Sequence, residues 1–567
     1  MVYCGKASQG CQNCRTRRIK CDKVRPQCTQ CVRVRKQCPG YRDQLSLMFR
    51  DESTKVMQKA HAQWGVAELS ELGDSAASSP TSTPPSSTRG RSLVPETATP
   101  RPTTLATRAR KSPEGKRLVR EICATPIDKA IQFYVEHYVI GLPDEPRVGQ
   151  ELQGTRWVHS PETRDIMAAV GLAALSNLTG DKEMDILAKH HYGLALQNMA
   201  STVRNIAGVD IDLVLRAVVM MAMYEVTRGR NEPLSPARTH VMGCAAILSS
   251  ALPLRHAPAD GPRGLLQLCF SMVASKQGSY QYSSPEPNVL IPTHPEPPSE
   301  GALPDTFFDW ISISDKMVTE PDRPSAELIK IIARFTQLSA LVRTQPLVDG
   351  QPKTADVIGQ ALEINDDLEA WERRQDGAWA VVEKQHAGDF FPAEAVFEGC
   401  YHVYDNTYIA RVWNHYRWAR SMVSQLLLES VDRFPASSSG SLPVSPAQQR
   451  RRLALSIRRL ARDTLVSIPT HYRHPNLAPA HWDCFDKTKR GAGIGIAGIP
   501  TLLFEIKVAG CAPGVPDHYR TWALRILETA YQDTGMFQAK ALAVLLGKMV
   551  ENESSRSSSP LSVGEGR

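Results

Sequence analysis

Six cysteines near the start of this 567-residue chain are spaced C-x2-C-x6-C-x6-C-x2-C-x6-C. They are Cys11, Cys14, Cys21, Cys28, Cys31 and Cys38. The two halves have identical intervals, so the segment is a tandem repeat. Cysteines at positions i and i+3 lie on one face of a helical turn and can bind one metal ion, and a third can close the site. Six thiolates complete two four-coordinate zinc sites only if two of them bridge, so the count predicts a binuclear cluster.

Other roles for these cysteines fit the sequence poorly. A disulfide framework needs an oxidising compartment, and the first residues, MVYCGKASQG, lack the apolar segment of a signal peptide. A metal store would not need the basic residues between the ligands. About forty residues bury too little apolar surface to fold alone. We therefore expect a structural zinc cluster whose metal supplies the folding free energy.

The charge of this segment indicates a polyanionic partner. Residues 1–42 contain eleven Lys or Arg and a single acidic residue, Asp22, which gives a net charge of +10, whereas the whole chain carries +8. A compact module this basic is typical of proteins that bind nucleic acid. An anionic membrane is the competing partner, but the segment has no apolar helix face to insert. We expect no membrane association.

The residues between the cysteines match a known pattern. CQNCRTRRIKCDKVRPQC, followed by CVRVRKQCPGY, closely resembles the fungal binuclear zinc cluster, the Zn2Cys6 DNA-binding domain, from Gly10 to about Tyr41 and including the loop proline Pro26. The resemblance implies that Cys11 and Cys28 bridge two zinc ions and that the other four cysteines are terminal ligands. It also implies a nuclear protein that binds double-stranded DNA and regulates transcription at RNA polymerase II promoters.

Five basic residues of the first half are the predicted DNA contacts. Modules of this kind place a helix in the major groove. Arg17 and Arg18 lie where the family contacts bases, commonly in a CGG triplet, and arginine suits bidentate contact with guanine. Arg15, Lys20 and Lys23 are assigned to phosphates, which set affinity and position.

Composition divides the chain into five parts. We predict a Zn2Cys6 DNA-binding domain (1–42), a helical linker (43–72), a disordered Ser/Thr/Pro-rich linker (73–118), an all-α regulatory domain (119–551) and a disordered tail (552–567). The 43–72 linker lacks a sustained apolar heptad, so it does not support a coiled-coil dimer. The basic stretch 108–120 fits a nuclear-import signal and an ordinary soluble linker equally well.

The large domain has helical periodicity. Apolar residues recur at helical intervals from Leu328 to Val342, behind a Pro324-Ser325 start signal, and from Met184 to Met199. The segment 213–224, LVLRAVVMMAMY, is apolar almost all round and predicts a core helix too short to span a bilayer. No alternating strand pattern stands out, so we expect an all-α domain.

Two stretches of this domain extend the family resemblance. HVMGCAAIL (240–248) resembles the His-x-x-Gly-x-Ala helix of fungal transcription factor regulatory domains. ARVWNHYRWAR (410–420) is similar to their Trp-Asn-x-Tyr-Arg helix. Alone, each stretch would also fit ordinary helix packing. The resemblance implies that the domain regulates, forms a homodimer or recruits a partner protein.

Two further motifs lack the surrounding sequence that their usual functions require. His471, His474, His481 and Cys484 have metal-ligand spacing, but prolines interrupt the segment. A G-x-G-x-x-G at 493–498 follows no predicted strand. No catalytic constellation is recognisable, so we do not expect an enzyme. Three function classes stay open: a sequence-specific DNA-binding regulator, a zinc-cluster interaction or scaffold protein without base readout, and a metal-carrying or enzymatic protein.

Overall fold

The computed structural model describes fifteen segments of the chain. These are residues 11–17, 19–22, 27–38, 124–138, 160–204, 211–229, 235–251, 261–283, 289–292, 302–385, 391–439, 442–472, 474–478, 481 and 502–557. The predicted linkers at 43–72 and 73–118 lie outside them. In the N-terminal module, α1 (Gln12–Thr16) and α2 (Thr29–Arg33) are two short helices. This arrangement confirms the prediction of two short helices and loops.

The rest of the described chain is largely helical. Its helices are α3 (Pro126–Tyr138), α4 (Pro161–Thr179), α5 (Lys182–Arg204), α6 (Ile211–Arg228), α7 (Ser235–Ala251), α8 (Gly261–Ser283), α9 (Asp305–Met317), α10 (Arg323–Thr344), α11 (Pro352–Arg373), α12 (Thr407–Arg433), α13 (Pro435–Ser439), α14 (Pro446–Val466), α15 (Leu503–Cys511), α16 (Asp517–Thr534) and α17 (Phe537–Ser557). The three helices predicted from periodicity correspond to α5, α6 and α10. The last helix ends at Ser557, beyond the boundary at residue 551 that the composition suggested.

Local sequence signals explain where several helices begin. Pro324 occupies the first turn of α10, where its missing N–H costs nothing. Asn406 caps α12, because its side-chain oxygen accepts a hydrogen bond from the backbone N–H of Ile409 at 3.0 Å. Ser445 caps α14 in the same way. Capped starts of this kind fix which residues face the core.

One small sheet departs from the predicted all-helical domain. Strands β1 (Val382–Gln385) and β2 (Cys400–Val403) pair antiparallel, with Val382 opposite Val403. Every residue of β1 is exposed and every residue of β2 is buried. Neither strand therefore alternates between apolar and polar residues, and each has only four residues. That is the physical reason why periodicity missed them.

Two hydrophobic cores adjoin within the helical region. The first contains buried residues of α3 to α6 together with α15 to α17. The second contains buried residues of α8 to α12. Helices α7, α14 and α15 contribute to both, so they join the cores; on α14, Ile457 belongs to the first and Leu460 to the second. None of the described helices is long and apolar enough to cross a membrane.

Helix α12 is the most buried element of the second core. From Ile409 to Leu427 nearly every side chain is buried, polar ones included. Buried polar groups must find hydrogen-bond partners or pay a desolvation cost. Accordingly, α12 carries a network of charged and amide side chains that links it to α11 and to the turn after α14. Through Glu372 of α11 the network also reaches Arg459 of α14.

Candidate metal centre and nucleic-acid-binding face

The first two cysteines of each half flank the start of a short helix. Cys11 directly precedes α1, which contains Cys14. Cys28 caps α2, and its sulfur accepts a hydrogen bond from the backbone N–H of Cys31 at 3.3 Å. An N–H donor of this kind favours the thiolate form. The predicted placement of each C-x2-C pair on one helical turn is confirmed.

The six sulfurs form two overlapping groups. Within each group of four, all sulfur atoms lie within 4.8 Å of one another. One group is Cys11, Cys14, Cys21 and Cys28, and the other is Cys11, Cys28, Cys31 and Cys38. Cys11 and Cys28 belong to both. These two are the cysteines that the family resemblance predicted to bridge.

The sulfur separations test whether zinc fits. The Sγ of Cys11 lies 3.7 Å from that of Cys28 and 3.6 Å from that of Cys31, and the sulfurs of Cys14 and Cys28 are 3.7 Å apart. A tetrahedral zinc ion with Zn–S bonds of about 2.3 Å requires sulfurs about 3.8 Å apart. The donor set and its spacing therefore fit two four-coordinate zinc ions that share two thiolates.

Burial of the sulfurs explains why the module needs metal. Cys11, Cys14, Cys28 and Cys31 are fully buried, and none of the six is in a disulfide. In the described part of the module, the buried cluster consists of cysteines alone. Burial raises the pKa of the Cys11 thiol to about 12, so metal binding must displace protons from the thiols.

Two polar residues without a predicted role hold the halves in place. Asn13 donates a hydrogen bond from Nδ2 to the backbone oxygen of Gln37 at 2.9 Å, which joins α1 to the second half. The carboxylate of Asp22 accepts hydrogen bonds from the backbone N–H and the hydroxyl of Thr29 at the start of α2. Asp22 is the one acid among eleven basic residues, and that contrast is the sequence signal that could have revealed its structural role.

The predicted DNA contacts are only partly described. Arg17 and Lys20 are exposed beside α1. Arg18 and Lys23 lie outside the described residues, as does the side chain of Arg15. Three basic residues to which the sequence assigned no role, Arg33, Arg35 and Lys36, are also exposed on the second half.

Arg35 has an unusual backbone conformation. Its φ is 52°, in the left-handed region that favours glycine. The turn that follows α2 requires this conformation, because the N–H of Lys36 then returns to the carbonyl of Cys31 at 3.1 Å. An arginine here thus places a positive charge next to the cluster at some cost in backbone strain.

The other candidate ligand groups are engaged elsewhere. Glu383, His402 and Asp463 lie close enough to share an ion. However, Arg462 donates to Glu383 at 2.9 Å, and an Arg417 nitrogen lies 3.3 Å from Nδ1 of His402. Two guanidinium groups at this position oppose a cation.

The histidines of the second candidate metal pattern, which prolines interrupt, also have other partners. His471 is fully buried and lies 3.1 Å from the amide of Asn414. Nδ1 of His474 accepts a hydrogen bond from the backbone N–H of Asn476 at 3.2 Å. Cys484 lies outside the described residues. The described contacts therefore occupy Nε2 of His471 and Nδ1 of His474 without a metal ion.

The Trp-Asn-x-Tyr-Arg stretch lies inside α12, and its residues form core contacts. Its four characteristic side chains are all buried: Trp413, Asn414, Tyr416 and Arg417. The indole N–H of Trp413 donates to the carbonyl of Trp379 at 2.9 Å, and the Tyr416 hydroxyl donates to Glu372 at 2.7 Å. These contacts fit the helix-packing interpretation of the motif.

Comparison with known proteins identifies the N-terminal module. Residues 9–47 match the family model of the fungal Zn(2)-Cys(6) binuclear cluster domain. No curated protein and no solved structure matches the chain. The family match does not extend into the helical region, so the resemblance of that region to fungal regulatory domains stays a prediction. The matched domain is characteristic of transcription factors and not of enzymes, and its family is typically nuclear. It binds two zinc ions, and its presence supports a DNA-binding transcription regulator.

Proposed function

We propose that the chain is a nuclear regulator that reads a short GC-rich DNA site through its zinc-stabilised module. The observation that carries the proposal is the pair of overlapping four-sulfur groups inside a strongly basic segment. In this proposal two zinc ions are held by four thiolates each, with Cys11 and Cys28 shared. The cluster would replace the hydrophobic core that so small a module lacks.

The metal also fits the electrostatics of DNA binding. Six thiolates and two zinc ions together contribute a charge of −2, so the loaded module keeps a net charge near +8. Binding to phosphates then releases counterions, and affinity falls steeply as the salt concentration rises. The only acid of residues 1–42, Asp22, is engaged at the start of α2.

Base readout is assigned to the flank of α1. Arg17 is exposed at the end of this helix, and Arg18 follows it. We assign both to guanines of a CGG-like triplet in the major groove, where each bidentate contact is worth about 1–3 kcal/mol of discrimination. Arg15, Lys20 and Lys23 are assigned to phosphates. These contacts set the register of α1 without selecting sequence.

The helical region would supply the regulatory part. One small module makes few base contacts, so a second half-site or a partner protein would raise affinity and specificity. We assign to the helical region the formation of a homodimer or the recruitment of a partner at RNA polymerase II promoters. The two adjoining hydrophobic cores give it a body large enough for such a surface.

Selection of DNA sites by the full-length, zinc-loaded chain tests the function. Random duplexes are bound, recovered and sequenced over several rounds, with a chelator-treated sample in parallel. The proposal predicts enrichment of CGG-like triplets that disappears with the chelator. Zinc-dependent binding without enrichment would instead indicate the alternative, a zinc-cluster interaction or scaffold protein without base readout.

Two single variants test the division between base readers and phosphate contacts. Arg18→Ala should relax the preference at one position by about 1–3 kcal/mol. Lys23→Ala should weaken binding to all sequences about equally and reduce the salt slope by about 0.9. Titration of matched and mismatched duplexes at several salt concentrations measures both effects. Equal and uniform loss in the two variants would contradict the division.

A further inference from the structure

Helix α12 presents three polar residues on one face of its first half. Arg411, Asn414 and His415 occupy positions i, i+3 and i+4, which are neighbours on a helix surface. The chain after α14 turns at Ile468–Thr470 and places His471 against this face. Nε2 of His471 lies 3.1 Å from Nδ2 of Asn414, and both side chains are fully buried. This polar cluster therefore joins residues 57 positions apart in the sequence.

The hydrogen bonds of Asn414 fix the proton on His471. Oδ1 of Asn414 accepts hydrogen bonds from Nη1 of Arg417 at 2.7 Å and from the Ser467 hydroxyl at 3.0 Å, so the other amide atom is the NH2 group. That NH2 donates to Nε2 of His471, which must then be an acceptor. A neutral imidazole has one proton, and on His471 it is placed on Nδ1.

His471 is neutral for two reasons. Burial, together with the positive charges of Arg411 and Arg417, holds its pKa well below the ordinary value. Protonation of Nε2 would also place its N–H against the NH2 of Asn414, so that two hydrogen-bond donors would face each other. His471 therefore offers one N–H donor at Nδ1 and no charge.

Two donors of this cluster lack an acceptor. Nδ1 of His471 and Nε of Arg411 are buried, and neither has a hydrogen-bond partner among the described residues. No described carboxylate pairs with the Arg411 guanidinium. A buried donor without an acceptor is costly, and a buried charge without a counter-charge is more so. Native structures rarely keep such groups without a ligand or ordered water.

A buried acid that contacts His415 does not supply the missing charge. Glu505 on α15 is 2% exposed, and Oε1 lies 3.4 Å from Nδ1 of His415. Burial raises the pKa of Glu505 to about 8, so its carboxyl group is mostly neutral at pH 7. The positive charge of Arg411 therefore stays uncompensated within the cluster.

We propose that Arg411 and His471 form a binding site for the carboxylate of a small organic acid. The Arg411 side chain is partly accessible to solvent, although burial lowers its pKa. The partial exposure leaves the guanidinium within reach of a small ligand from solvent. A carboxylate pairs with guanidinium through charge-assisted hydrogen bonds and would also accept the N–H of His471.

The charge balance selects the class of ligand. The site offers one fixed positive charge, and both neighbouring imidazoles are neutral, since burial and Arg411 also lower the pKa of His415 to about 3. A monoanion is matched by this charge. A phosphate dianion would leave one buried negative charge unpaired. This site is independent of the proposed DNA contacts.

Thermal unfolding of the full-length, zinc-loaded chain tests the site, with sodium acetate as the minimal carboxylate probe. Unfolding is followed by tryptophan fluorescence in acetate, in sodium chloride of equal ionic strength and in sodium phosphate. Acetate should raise the Tm saturably, and at ten times its Kd the unfolding constant should fall about elevenfold. If acetate raised the Tm no more than sodium chloride does, the proposed site would be overturned, because ordered water would then satisfy the two donors. A larger effect of phosphate would overturn the carboxylate assignment.

Two Arg variants provide matched controls. Arg411→Met should abolish the acetate effect and should unfold at a higher Tm than the wild type without acetate, because an unpaired buried charge has been removed. Arg451→Gln, at an exposed position of α14, should keep the acetate effect. If Arg411→Met fails to fold, Arg411→Lys takes its place. Lysine keeps the positive charge but lacks the planar guanidinium group, so the acetate affinity should fall about tenfold. An acetate effect of wild-type size in the Arg411 variant that folds would overturn the proposal.

Discussion

The shared position of Cys28 predicts how the cluster loses zinc. Its sulfur belongs to both four-sulfur groups, whereas that of Cys21 belongs to one. Structural zinc binds with an apparent free energy of about 10–16 kcal/mol. Divided over four thiolates, each ligand accounts for roughly 2.5–4 kcal/mol, or about 10²–10³ in affinity. Cys28→Ala should therefore weaken both ions by this factor, and Cys21→Ala should weaken one.

Competition with chelators of graded affinity measures this difference. Wild type, Cys28→Ala and Cys21→Ala are incubated at full length with each chelator, and the zinc that stays with the protein is counted. We expect Cys21→Ala to release one ion early, and Cys28→Ala to release both at the same weak chelator. Cys38→Ala is the matched terminal variant of the other group and should behave like Cys21→Ala. If Cys28→Ala kept one ion with wild-type affinity, the shared-ligand interpretation would be refuted.

Two further predictions concern the helical region. A Cβ on Gly171 would overlap a backbone carbonyl of α3, so Gly171→Ala should destabilise the chain by about 3 kcal/mol. Gly193→Ala, with open space around it, should stabilise by about 0.5–1 kcal/mol, and urea titration of both variants checks the contrast. Burial raises the pKa of Glu505 from 4.5 to about 8, so the folded state retains a proton that the unfolded state loses. Stability should fall by up to ~1.4 kcal/mol per pH unit between about pH 6.5 and 7.5. This window lies above the ordinary histidine pKa of 6.5, at which His415 titrates in the unfolded chain, and below the folded-state pKa of Glu505 and of Lys507 (about 8 each). Glu505→Gln should abolish this slope in urea titrations across that range, and an unchanged slope would contradict the assignment.

The metal centre was predicted well because its residues lie close together in the sequence. The cysteine spacing and the short helices depend on intervals of three to seven residues, which the sequence shows directly. The helices α5, α6 and α10 were predicted for the same reason, because an apolar face repeats within each of them. The roles of Asn13 and Asp22 were missed, because their partners lie on the other half of the module.

The sequence could not show the features of the helical region that depend on contacts between residues far apart in the chain. The proposed site at Arg411 depends on His471, sixty positions later, and on a hydrogen bond that fixes a tautomer. In the sequence, His471 was a member of a metal-ligand pattern, and no role was assigned to Arg411. The strands β1 and β2 were missed because one is wholly exposed and the other wholly buried.

Zinc titration of the metal-free, full-length chain tests the central claim most directly. Binding to a duplex that carries the selected site is followed by fluorescence anisotropy as zinc is added in known amounts. The proposed function predicts that DNA binding is absent without zinc and reaches its maximum at two zinc ions per chain. Full binding without zinc, or saturation at a single ion, would contradict it.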